Sequence, residues 1–165
     1  MPAIEISIAE QQLVLLDEHG LEAKRYPIST AKNGVGELNG SNCTPRGSHI
    51  VRAKIGAGHV LNTVFVGRRP TGEIWSPQLA ALHPGRDWML TRLLWLSGCS
   101  PGFNRLGSVD TMRRFIYIHG APDTVKMGEP GSIGCIRMRN LDVVELFDLT
   151  PPYTPVLITD EARAR

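Results

Sequence analysis

Arg114-Phe115-Ile116-Tyr117-Ile118-His119-Gly120 and, beyond it, Gly131-Ser132-Ile133-Gly134-Cys135-Ile136-Arg137-Met138 are the two stretches on which the reading of this chain turns. The run from Arg114 to Ile118 is β-branched and aromatic, which predicts a strand ending on His119. Gly131, Ser132 and Gly134 interrupt regular structure just ahead of Cys135, and Asn140 to Phe147 then predicts a helix. A thiol on a tight loop thus follows a strand-borne imidazole by sixteen positions.

That pairing has a chemical use. A free cysteine, with a pKa of roughly 8.5, is mostly thiol near neutrality, and a histidine within hydrogen-bond reach can take its proton. Gly134 lets the backbone approach a substrate, and the N–H groups of Gly134 and Cys135 are candidates to bind the oxyanion of a tetrahedral intermediate; one such donor is typically worth ~2.7–4 kcal/mol of barrier. Taken singly, a cysteine is most often a small buried hydrophobe and a histidine structural. Zinc binding is the weaker alternative, because its sites favour closely paired ligands such as Cys-x-x-Cys or His-x-x-x-His, and the sequence has neither. No metal is expected.

Working outward, Ile4 to Ile8, Gln12 to Leu16 and Leu21 to Ile28 alternate around short turns and predict an opening strand meander. Residues 31–47 hold Gly34, Gly36, Gly40, Pro45 and Gly47 and read as a long loop, of the kind that walls a groove. Gly47 to Ile55 and Thr63 to Val66 predict strands, and Gly72 to Trp75 the start of another. Gly56-Ala57-Gly58-His59 lacks the Gly-Lys-Ser/Thr ending of a phosphate loop and reads as a turn. Asp87 to Leu96 carries Trp88, Met89, Leu93, Leu94 and Leu96 at a helix-like spacing. Pro155 to Thr159 is a final strand, and Asp160 to Arg165 a frayed tail. The local pattern is β-rich α+β, with one helix before and one after the His119 strand.

With 165 residues, 42% hydrophobic and 21% charged, the chain suits one soluble domain that needs no disulfide or metal for its core. A formal net charge of +2, with Arg68-Arg69 and Arg113-Arg114 as isolated pairs, gives no footprint for nucleic acid or a membrane surface. Three cysteines, an odd number, fit a reducing compartment; Cys43 and Cys99 read as incidental thiols, Cys43 being nearer the site. The alternating start from Met1 to Ile8 has none of the features of a secretory signal. A cytoplasmic location is the expectation.

The residues resemble a known family. His-Gly, some fifteen residues, then Ser-x-Gly-Cys-Ile-Arg-Met is similar to the active-site signature of the YkuD-type L,D-transpeptidases. The order matters, since papain-like peptidases place the cysteine before the histidine. Thr44-Pro45-Arg46-Gly47 resembles the Thr-Pro-x-Gly turn that members carry upstream. The likeness runs from about residue 3 to 159 and is weakest at 70–110, so the whole of 1–165 is expected as one YkuD-like catalytic domain with residues 160–165 as tail. It implies a compact β-sandwich or barrel-like fold of mixed sheets with two or so helices. It also implies Cys135 as the acyl-accepting nucleophile, His119 as its base, and Gly120 as the residue whose carbonyl orients the imidazole. Ser132 would support the loop, and Arg137 would steady the site or a substrate carboxylate. Ile133 stands where many members have a histidine.

The expected activity is that of a cysteine L,D-carboxypeptidase. It removes the terminal D-alanine from muropeptide tetrapeptide stems through a thioester, without a cofactor, during peptidoglycan recycling. The alternatives are L,D-transpeptidation or D-amino-acid exchange, and a non-catalytic module that binds peptidoglycan peptides. A carbapenem is the expected covalent inhibitor.

Overall fold

The alternation near the N-terminus becomes an antiparallel meander of β1 (Ala3–Ser7), β2 (Gln12–Leu16) and β3 (Glu22–Pro27). The computed structural model describes residues 1–163. Seven further strands follow: β4 (Gly47–Ile55), β5 (Thr63–Val66), β6 (Arg69–Ile74), β7 (Met89–Gly98), β8 (Tyr117–Gly120), β9 (Ile136–Met138) and β10 (Pro155–Thr159). They hydrogen-bond as one mixed sheet in the order β3-β2-β1-β10-β4-β7-β5-β6, with β8 joining β7 and β9 joining β8. The sequence reading expected two sheets; one continuous sheet curls to give the same mainly β architecture. Its curl is visible in the core, where Ile4, Ile6, Val156 and Ile158 from one side share a cluster with Leu94, Ile118 and Ile136 from the other. Each such side chain, fully buried, contributes about 1.5–3 kcal/mol.

The stretch from Asp87 to Leu96, expected as a helix, is mostly strand β7. Its burial is nearly continuous, because β7 is central: β4 pairs with Leu93 to Gly98, β5 with Met89 and Leu90, and β8 with Leu90 and Leu93 to Trp95. A bulge also interrupts it. The β7–β8 register shifts between Leu90 and Leu93, and Thr91 takes a left-handed φ of 75°. One irregularity in the alternation is enough to make apolar spacing look helical. The helix ahead of the histidine strand is instead α1 (Pro77–Leu82), where the Ser76 hydroxyl accepts from the Leu79 N–H at 3.1 Å and Pro77 occupies the first turn. The second helix, α2 (Asn140–Leu149), lies where expected and packs Val143, Leu146 and Phe147 into the core.

Two smaller differences matter. Arg114 and Phe115, expected in the histidine strand, form a turn in which Phe115 has φ 58°. The tail is also anchored as far as it is described: the Ser7 hydroxyl donates to the Glu161 carbonyl at 2.8 Å, and Arg163 pairs with Glu5 at 2.7 Å. Residues 164 and 165 of the expected tail lie outside the described residues.

Candidate active site

β8 and β9 run parallel, with Ile118 opposite Ile136, His119 opposite Arg137 and Gly120 opposite Met138. Side chains alternate between faces along a strand, so Ile118, Ile136 and Met138 point into the core toward α2 while Tyr117, His119 and Arg137 occupy the other face. β7 adds Leu93, opposite His119, and Trp95, opposite Tyr117. Cys135, one residue before β9, falls on that same face, where it packs with Phe65, Leu93 and Tyr117. The fold therefore brings the two stretches quoted at the outset onto one face, with Cys135 two residues before Arg137, the residue opposite His119.

Main-chain groups fix the sulfur. Cys135 Sγ accepts from the Tyr117 N–H at 3.3 Å and donates to the Phe115 carbonyl at 3.4 Å. Among the described residues no hydrogen bond joins it to His119. Ser132 clamps the loop, its hydroxyl donating to the Cys135 carbonyl at 2.6 Å and accepting from the Gly134 N–H at 3.2 Å. That bond occupies the amide of Gly134, which the sequence reading made an oxyanion donor. Among the described residues the Cys135 amide makes no bond and is the free donor at the turn. Gly134 sits at φ 136°, where a Cβ would come within 3.1 Å of Ile116. Its carbonyl accepts from the Thr44 hydroxyl at 2.9 Å, so the Thr-Pro-x-Gly turn braces the cysteine loop directly.

His119 is 1% exposed, and its Nδ1 lies 2.6 Å from the Gly120 carbonyl. A carbonyl only accepts, so Nδ1 holds the proton and Nε2 is left as the basic nitrogen. Gly120 is itself required by packing: a Cβ there would run into Asn140 Oδ1 and the Leu90 carbonyl, and meet Thr91 Cβ at 3.2 Å. The β7 bulge and the start of α2 thus close on Gly120 and hold the carbonyl that orients the ring.

Burial dominates the electrostatics. It pushes the Cys135 thiol up to about 12, opposed by the Tyr117 N–H and the charges of Arg114 and Arg137, and reinforced by Asp87. It also holds His119 below the ordinary imidazole range, against the bond to Gly120. Near neutral pH both groups are uncharged, so the resting pair is thiol and neutral imidazole.

Arg137 is half-buried, and its Nη2 donates to Ser29 Oγ at 3.0 Å. It lines a cavity of about 170 Å³ with Trp75, Asp87, Trp88 and Thr124. Asp87 and the brace Thr44 received no role in the sequence reading, and neither did Tyr117. Asp87 sits in the stretch misread as helix, and the two contacts on the cysteine loop depend on how strands pair. Cys43 lies beside the Gly134 turn, as expected, while Cys99 is exposed. Among the described residues no group of three or more His, Cys, Asp or Glu side chains is placed to hold a metal ion.

A strand-borne histidine beside a loop cysteine, on one face of a curled mixed sheet, defines a class of β-rich domains built around a cysteine–histidine pair. The chain belongs to the YkuD family, the L,D-transpeptidase catalytic domain, whose pattern matches residues 1–158. Membership makes it a cysteine-dependent enzyme by family. Over 63 residues it is 44% identical to YqjB of Bacillus subtilis, a candidate L,D-transpeptidase by name; that match covers 38% of this chain and 34% of YqjB. Among solved structures it resembles Bd1075 of Bdellovibrio bacteriovorus, with a TM-score of 0.60 at 17% identity, over 97% of this chain and 48% of that one. It also resembles L,D-transpeptidase 3 of Mycobacterium tuberculosis in complex with a faropenem-derived adduct, with a TM-score of 0.58 at 17% identity, over 96% of this chain and 60% of that one. At these identities the likeness is one of fold. The chain spans about a third of YqjB and about half to three-fifths of these two structures.

Proposed function

We propose that the protein is an L,D-carboxypeptidase that removes the terminal D-alanine from muropeptide tetrapeptide stems, with Cys135 as nucleophile and His119 as base. The observation that carries this reading is the shared face of β8 and β9, with His119 Nδ1 committed to Gly120 and Nε2 left for the thiol proton. Attack by sulfur on the carbonyl at the L-centre of the third residue transfers that proton to Nε2. The Cys135 N–H receives the oxyanion, and Ser132 and Thr44 hold the turn that aims it. Collapse expels D-alanine with the proton from His119 and leaves a thioester. Water, deprotonated by His119, then frees the tripeptide.

Burial favours water as the acceptor. Cys135 is only 7% exposed, and a water molecule reaches such a thioester more readily than the amine of a second stem. Trimming of released stems belongs to recycling, which would place the enzyme in the cytoplasm. The second reading is L,D-transpeptidation, favoured by the family to which the chain belongs. Incubation with a defined tetrapeptide, with products resolved by mass, separates the two: tripeptide alone supports hydrolysis, whereas dimer or exchange with a free D-amino acid supports transfer. Cys135→Ala abolishes turnover, and a carbapenem adds its mass to the peptide containing Cys135. Turnover that survives the substitution refutes the assignment.

A further inference from the structure

Arg114 and Arg137 act on the thiol through their charges, and a third arginine, Arg68, lies on the aromatic residues next to it; the three are not equivalent. Arg114 is spent on structure, donating to the carbonyls of Gly36, Glu37 and Cys43 and to Ser41 Oγ. Arg137 is bound to Ser29 and lies in the field of Asp87. Arg68 differs from both. It sits at the tip of the β5–β6 hairpin with a left-handed φ of 65°, half-buried, its guanidinium carbon 4.8 Å from the Trp95 ring centre and 4.9 Å from that of Phe115. Nη1 donates to the Tyr117 hydroxyl at 3.2 Å, and among the described residues no carboxylate pairs with it.

The residues that hold this cation also hold the sulfur. Tyr117 and Phe115 bind Cys135 Sγ through their main chains, and they hold Arg68 through the Tyr117 hydroxyl and the Phe115 ring. Phe115 makes this double contact at a φ of 58° while 49% exposed, a conformation that a bulky residue adopts only when its surroundings impose it. A guanidinium laid on aromatic faces is fixed in direction, keeps its remaining N–H donors and is suited to a planar anion. In a peptide cleaved one residue from its end, the terminal carboxylate lies about 3.5 Å of chain beyond the scissile carbonyl.

We propose that Arg68 receives the free C-terminal carboxylate of the peptide, so that the β5–β6 hairpin selects for removal of a single terminal residue. The inference rests on the reading of the site as a peptidase and adds the group by which it recognises a chain end. It is tested with two tetrapeptide stems that differ only in a free carboxylate or a carboxamide at the C-terminus. The wild-type protein favours the acid in kcat/KM by about ten- to a hundredfold, the range of a charge-assisted hydrogen bond. Arg68→Gln collapses that ratio to near unity, and Arg68→Lys, which keeps the charge, holds an intermediate ratio. A merely structural role lowers both rates together and leaves the ratio at its wild-type value, which overturns the proposal; so does a wild-type enzyme indifferent to the two peptides. Calorimetric titration of both peptides into Cys135→Ala, with and without Arg68→Gln, separates this inference from the chemistry. An acid preference in binding that vanishes with Arg68 supports it even if the wild-type protein cleaves neither peptide, a result that refutes only the hydrolase reading. Equal binding of acid and amide overturns it.

Discussion

A resting thiol, as opposed to a preformed thiolate–imidazolium pair, has a measurable signature in the alkylation of Cys135 by iodoacetamide. With burial pushing the group to about 12, its thiolate fraction at pH 7.5 falls about three thousandfold below that of an ordinary cysteine near pKa 8.5. A more basic thiolate is a better nucleophile, with a Brønsted slope of about 0.4–0.5, which returns roughly one and a half powers of ten. The net expectation is a rate about a hundredfold below that of an unhindered thiol, rising nearly tenfold per pH unit through pH 10. The three cysteines fall in separate burial classes, and exposed Cys99 serves as the internal reference. Peptide mapping by mass spectrometry gives each rate. Restricted access slows Cys135 equally at every pH, so the shape of the profile decides the matter. Asp87→Asn moves the profile to lower pH, because that carboxylate disfavours the thiolate. A plateau between pH 6 and 8, with Cys135 outpacing Cys99, refutes the neutral pair and requires the imidazole to hold the proton before substrate arrives.

Other consequences are as specific. Gly120→Ala drives a methyl group against Asn140, Leu90 and Thr91 and costs about 1–3 kcal/mol, a fall in Tm of roughly 2–4 °C per kcal/mol on a thermal scan. Ser132→Ala removes both clamps on the cysteine turn and destabilises it by about 1–3 kcal/mol; kcat falls while KM holds, and a change confined to KM contradicts the role. His49 is buried between the Gly47 carbonyl and Thr111 Oγ1, and burial lowers its pKa to about 4. Unfolded, the ring titrates near 6.5 and binds a proton that the folded ring refuses, so its contribution is full above pH 6.5 and is lost as pH falls toward 4. Urea denaturation should show a loss of about 2 kcal/mol between pH 7 and 5 from this residue, and Gln at position 49 removes that part of the dependence.

What the sequence disclosed and what it hid divide along a physical line. The N-terminal meander, the loop cysteine, the helix after it and the histidine at a strand end are local patterns, and each is where its residues indicated. The β7 strand was hidden because a bulge at Thr91 breaks the alternation that marks a strand, and because a central strand buries nearly every residue. α1 was hidden by its length of six residues, too short for a periodic signal. The candidate pair Cys135 and His119 stood out in the sequence, and the contacts around it did not. That the Gly134 amide goes to Ser132, that Phe115 turns through a left-handed conformation to meet the sulfur, and that Arg68 lies over its ring all depend on contacts between distant segments.

The position of β10 bears on how the chain reaches this state. The last strand does not join the edge of a finished sheet; it lies between β1, to which it is parallel, and β4, to which it is antiparallel. Until Pro155 to Thr159 leave the ribosome, the meander and the remainder of the sheet each present an open edge with no partner. Both edges are competent to pair with other chains. Joining of the two parts is therefore withheld until residues 155–159 have emerged, and a nascent chain stalled before residue 155 is two unjoined half-sheets carrying an unsupported thiol.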